Sequence, residues 1–201
     1  MLLKRVNSDI YNYLPDKDVE TLQKKTHSFN LHFEEVTNAI LNKLGKFHCG
    51  DNTIIHFRLK NSTDSLHLEK TFSPGNKVFP SGFYNGWIDF NDFLDLGLVE
   101  QNKLIVSILK NGFDFILTEL QINSEEKSRF FEAIQSFEND GYLITTKPKW
   151  NKFRQFKWHF EMLKGTLRPY SQLLVLENKN EEILRYEIDK ITEPQPVDYW
   201  P

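Results

Sequence analysis

Cysteine is nearly absent from this 201-residue chain: Cys49 stands alone, which excludes an internal disulfide and a thiolate metal cage. Alanine is almost as scarce, with only Ala39 and Ala133 beside 17 phenylalanines. Helices here therefore have to pack through large rings, not through close approach of small faces. No apolar run comes near the roughly 18 residues a membrane span needs. Met1-Leu2-Leu3-Lys4-Arg5 has no apolar stretch ahead of its charges, so neither a membrane helix nor a signal peptide is expected. With the lone thiol, this predicts a reducing, cytoplasmic setting. Also missing are a Gly-rich phosphate loop, G-x-S-x-G, H-E-x-x-H and paired cysteines. The residues thus offer no catalytic, cofactor-binding or metal-binding set, and no cofactor is expected.

What is present reads as a folded protein, since 39% hydrophobic residues with 26% charged ones is too apolar for disorder. Its charge is unevenly spread. Lys147 to Arg168 holds seven basic residues against the single acid Glu161, interleaved with Trp150, Phe153, Phe156, Trp158 and Phe160. The remaining chain carries 18 basic and 27 acidic residues. A basic, aromatic segment on an acidic body points to a contact with phosphates, with an acidic protein or with the body itself.

Residues 18 to 45 read as a helix, with a break near His27 as an option, because Leu22, Phe29, Phe33, Val36, Ile40 and Leu44 recur at helical spacing and Gly45 supplies a stop. Thr53 to Leu59 and Ser65 to Phe72 read as two strands joined by a polar turn, with Ile55, Phe57 and Leu59 on the core side. From Ser73 to Asp92 the chain is punctuated by Pro74-Gly75, Pro80-Ser81-Gly82 and Asn85-Gly86. This predicts a long loop pinned by aromatics, or a loop around a hairpin turning at Asn85-Gly86. Residues 103 to 122 fit a hairpin turning at Asn111-Gly112, with a helix as the alternative. Asn123 caps a helix whose Phe130, Phe131, Ile134 and Phe137 form a stripe and which ends at Asp140-Gly141. A short strand over Tyr142 to Thr146 follows, then a helix from Trp150 to Leu163 with Phe153, Phe156, Phe160 and Leu163 on one face. Gln172 to Leu176 and Ile183 to Ile188 close the chain as a hairpin.

The expected fold is α+β: antiparallel β-hairpins packed with three or four amphipathic helices. The pattern F-x-x-H-F-E occurs at 29 to 34 and again at 156 to 161, which raises two similar helix-hairpin lobes. Residues 1–192 are read as one domain, with a two-lobe split near 100–123 as an option. Residues 193–201 are read as a Pro-rich tail.

Two surfaces are candidates for contact. Phe79, Phe83, Tyr84 and Trp87 in the aromatic loop either plug it onto the core or meet a protein partner. Arg154, Lys157, Trp158 and Lys164 form one flank of the predicted 150–164 helix, suited to solvent, to an acidic partner or to phosphates. The leading expectation is a non-enzymatic module that binds a protein, such as an immunity or other neutralising protein, or an accessory subunit of a larger assembly. The first alternative is nucleic-acid binding. Segment 124–149 has the helix-then-wing pattern of a winged-helix domain, and the basic helix would follow it. Against this, Lys127 and Arg129 are outnumbered on the recognition helix by Glu125, Glu126, Glu132, Glu138 and Asp140. The second alternative is a metal-dependent hydrolase built on His56 and His67, with His48, Cys49 and Asp51 nearby in sequence.

Overall fold

Ile55, Phe57 and Leu59 do alternate with His56 and Arg58 along a strand, but that strand is not half of a hairpin. In the computed structural model, which describes residues 1–11, 19–61, 69–88, 93, 96–142, 144–145, 149–150, 157–162, 170–178 and 181–191, it lies inside a sheet. The chain divides into two compact units, Met1–Asn139 and Asp140–Pro201. The 100–123 stretch falls inside the first of these.

The first unit is mixed α and β. It runs β1 (Arg5–Tyr11), α1 (Val19–Leu44), β2 (Ile54–Asn61), β3 (Thr71–Ser73), β4 (Ser81–Ile88), α2 (Leu98–Glu119) and α3 (Ser124–Asn139). Its sheet has the order β1-β2-β4-β3. Strands β1, β2 and β4 are parallel, and only β3 runs against its neighbour. Parallel neighbours cannot be joined by a tight turn, and the 26-residue α1 supplies the crossover from β1 to β2.

Three expectations are corrected here. β2 pairs with β1 and β4, while β3 pairs with β4, so the 53–59 and 65–72 hairpin does not exist as drawn; residues 62–68 lie outside the described ones. Asn85-Gly86 is no turn but the middle of β4, an eight-residue strand. Residues 98 to 119 are one helix, with Asn111-Gly112 inside it.

A physical cause unites the last two corrections. A Cβ at Gly86 would lie 2.7 Å from Tyr84 Cε1, and one at Gly112 would overlap the Phe57 ring. Both glycines sit where a ring needs the space a side chain would take.

The core confirms that large rings do the packing. Phe29 meets Phe93 at 4.9 Å and Phe33 at 5.8 Å; Phe33 meets Phe57 at 5.5 Å, and Phe57 meets Tyr84 at 4.9 Å and Phe113 at 5.6 Å. The chain of rings continues from Phe113 through Phe130 to Phe47. It joins α1, β2, β4, α2 and α3, at roughly 0.5–1.5 kcal/mol per well-oriented ring pair beyond area burial.

Helices α2 and α3 form an antiparallel hairpin. Asn123 Oδ1 accepts the Glu126 amide at 2.9 Å, the expected cap. Lys127 bridges to Asp114 near the connection and Lys110 to Glu138 farther along. From α3, Arg129 donates to the carbonyls of Lys46 and Leu44, where α1 ends at Gly45 with φ +71°.

The second unit is described as strands: β5 (Ile144–Thr145), β6 (Lys149–Trp150), β7 (Lys157–Met162), β8 (Tyr170–Asn178) and β9 (Glu181–Ile191). They pair antiparallel, in the order β5-β7-β8-β9 with β6 also on β7. The closing hairpin is present as β8 and β9. The predicted 150–164 helix is not: residues 157–162 are a strand. Of the F-x-x-H-F-E echo, residues 29–34 lie on α1 and residues 157–161 on β7, with Phe156 outside the described residues, so the two copies do not share a helix. The 193–201 tail is outside the described residues.

Candidate interaction surface

Alternation along β4 separates the four aromatic residues that sequence grouped together. Tyr84 turns into the core at 3% exposure, and burial pushes its phenol up to about 12. Phe83 and Trp87 lie on the opposite face, half-buried, and Phe79 lies beyond the strand in the β3–β4 connection, 73% exposed.

That connection is held by asparagines. Asn52, fully buried, donates from Nδ2 to the Cys49 carbonyl at 2.9 Å and accepts the Gly75 amide on Oδ1 at 2.6 Å. Asn76 Oδ1 accepts the amides of Val78 and Phe79, both at 2.9 Å, and the Asn76 amide donates to the Phe79 carbonyl. An Asx turn of this kind replaces the backbone bonds a loop otherwise lacks. The Pro80 carbonyl then accepts from the Thr53 and Ile54 amides, which fixes the exit into β4. The turn thus presents Val78, 77% exposed, and Phe79 side by side on an ordered scaffold.

The sheet face away from the helices carries a second set. Across it the register aligns Asn7, His56 and Phe83 in one row, and Asp9, Arg58 and Asn85 in the next. The His56 ring stacks on Phe83 at 5.0 Å and 16°. The Arg58 guanidinium carbon sits 4.1 Å from the Phe83 centroid, and Lys70 Nζ sits 5.5 Å from that of Trp87. Asn85 Nδ2 donates to Thr71 Oγ1 at 2.9 Å. Burial lowers the His56 pKa, Arg58 and Arg5 lower it further, and Asp9 partly offsets them.

A buried polar cluster ties α1 to α2. His32, 1% exposed, meets Asn102 Oδ1 through Nε2 at 2.8 Å, and its Nδ1 lies 3.9 Å from Glu35 Oε2. Burial pushes His32 down to about 4, with the Asn102 bond pulling the other way. Burial and the neighbouring Glu34 charge push Glu35 up to about 7. Sealed from solvent, His32 links α1 to α2 through Asn102.

Of the remaining sequence candidates, only some fall among the described residues. Lys157 and Trp158 occupy consecutive positions of β7, and consecutive strand positions alternate between faces. Lys157 and Trp158 are thus on a strand and not on the predicted helix, and Arg154 and Lys164 lie outside the described residues. Cys49 is buried, its thiol pushed up to about 12, and His48 is exposed. His67 is outside the described residues. Among the described residues no group of three or more His, Cys, Asp or Glu side chains is placed to hold a metal ion. Among them too, no helix is long and apolar enough to cross a membrane.

Sequence reasoning missed the exposure of Val78 and the placement of Arg58 and Lys70 over the Phe83 and Trp87 rings. Asn76, two and three residues ahead of the amides it caps, was the legible signal for the first. No protein-family model, no curated protein and no solved structure is similar to this chain.

Proposed function

We propose that the protein is a non-enzymatic binding module that engages a protein partner through the Asn76-capped turn, as a neutralising protein or an accessory subunit would. The observation that carries this reading is the exposure of Val78 and Phe79, at 77% and 73%, on a turn fixed by side-chain and backbone hydrogen bonds. Two adjacent apolar side chains on an ordered turn lose little conformational freedom on docking, so their burial converts efficiently into affinity. A partner with a concave apolar pocket fits such a projection.

The test is cross-linking at native expression level with wild type and with a Val78→Ser, Phe79→Ser double variant. Both side chains are solvent-exposed, so the thermal midpoint should stay unchanged while the cross-linked partner is lost. A partner retained at wild-type yield by the double variant would overturn the turn's role.

A further inference from the structure

Among the described residues of the first unit, charge is divided between the helices and the sheet face. Described side chains of its three helices carry nine acids, Glu34, Glu35, Glu100, Asp114, Glu119, Glu125, Glu126, Glu132 and Glu138, against five bases. The sheet face away from the helices reverses that balance among the described residues. Its outward strand positions hold Arg5, Arg58 and Lys60 against the single acid Asp9, and Lys70 reaches the same face over Trp87. Arg5 is engaged by Glu34 at 2.8 Å. Arg58 is exposed and makes no ion pair among the described residues.

We infer that this face docks an acidic, extended polypeptide segment of a partner, with Arg58 as its principal carboxylate contact. A guanidinium whose carbon rests over a ring still has N–H groups to offer, and a pair of them matches a carboxylate in two parallel hydrogen bonds. Phe83 thus orients the cation, and His56 stacked on the same ring holds Phe83 in place. Arg58 and Lys60 stand two residues apart on β2, a spacing of about 7 Å. Acids at alternate positions of an extended segment repeat at the same distance.

A single-stranded nucleic acid would bring negative charge too, yet it gains most of its non-ionic affinity by stacking bases on exposed rings. Here Phe83 is already packed by Arg58 and His56, and Trp87 by Lys70. A base would have to displace those groups, whereas a carboxylate uses them where they stand.

The experiment measures fluorescence anisotropy of a labelled peptide of alternating Glu and Ser, added to the full chain at low ionic strength. Wild type should bind it. Arg58→Glu should weaken binding by about tenfold or more, and Arg58→Lys by about threefold, because the charge stays but the fork is lost. The Val78→Ser, Phe79→Ser variant should bind the peptide as wild type does, which separates this surface from the turn. Absence of binding by wild type, or equal binding by Arg58→Glu, would overturn the inference. So would tighter, Arg58-dependent binding of an oligothymidylate of matched charge, which would make the face a nucleic-acid surface.

Discussion

Gly112 of α2 lies directly against the ring of Phe57 in β2, so close that a Cβ at 112 would overlap Cε1 of the ring. A side chain at 112 would therefore have to displace that ring. The contact has a sign-dependent consequence. In an unconstrained helix, Gly→Ala adds about 1 kcal/mol of stability through propensity. Here Gly112→Ala should instead cost roughly 1–3 kcal/mol by overpacking. Urea unfolding of Gly112→Ala, and of the same change combined with Phe57→Leu, would show whether a smaller side chain at 57 relieves the loss.

Asn52 should matter to the turn although it does not reach the turn's tip. Asn52→Ala leaves the part-buried Gly75 amide without its acceptor, at a cost of about 1 kcal/mol. Limited proteolysis should then cut near Lys77 faster than in wild type. Resistance equal to wild type would mean that Asn76 orders the turn unaided.

The His32 and Glu35 shifts predict opposing pH slopes. The folded pKa of His32 lies below its ordinary 6.5, so stability falls as pH drops from about 6.5 towards about 4. Glu35 has a folded pKa raised above its ordinary 4.5, so its contribution is present below about 4.5 and lost as pH rises through about 7. Replacing the carboxyl removes the second slope alone. Glu35→Gln should therefore gain roughly 1–3 kcal/mol over wild type at alkaline pH and nothing at acid pH, read from denaturation midpoints across that range.

Arg129 couples α3 to the end of α1 through the Lys46 and Leu44 carbonyls, and also pairs with Glu126. Its truncation to alanine should cost about 1 kcal/mol, since the group is partly exposed. Faster amide exchange confined to the last turn of α1 would identify the lost cap. Uniform acceleration along α1 would contradict it.

Much of this protein was legible locally. Helices α1 and α3 follow from their 3.6-residue stripes and from Asn123 and Gly45, and the core side of β2 follows from alternation. The region of α2 carried its own helical signal, because buried residues recur in adjacent pairs: Gln101 and Asn102, Ile105 and Val106, Ile108 and Leu109, then Ile116 and Leu117. Asn111-Gly112 masked it by looking like a turn. In β7, Lys157, His159 and Glu161 alternate with Trp158, Phe160 and Met162, a period of two that the longer Phe153 to Leu163 stripe concealed. Two periodicities competed there, and pairing with β5, β6 and β8 selected the strand.

By itself the amino-acid sequence determined which residues are apolar at which period, where helices α1 and α3 start and stop, and that rings must fill the interior. Tertiary structure alone decided which strands become neighbours, because parallel pairing joins residues brought together through a helix and leaves no turn to read. It also decided the role of the glycines, since a missing Cβ looks the same in a turn, under Tyr84 or against Phe57. Finally, it decided the surface. Phe83 and Tyr84 are adjacent in the chain, and the strand's two-residue period sends one to a cation-lined face and the other into the core.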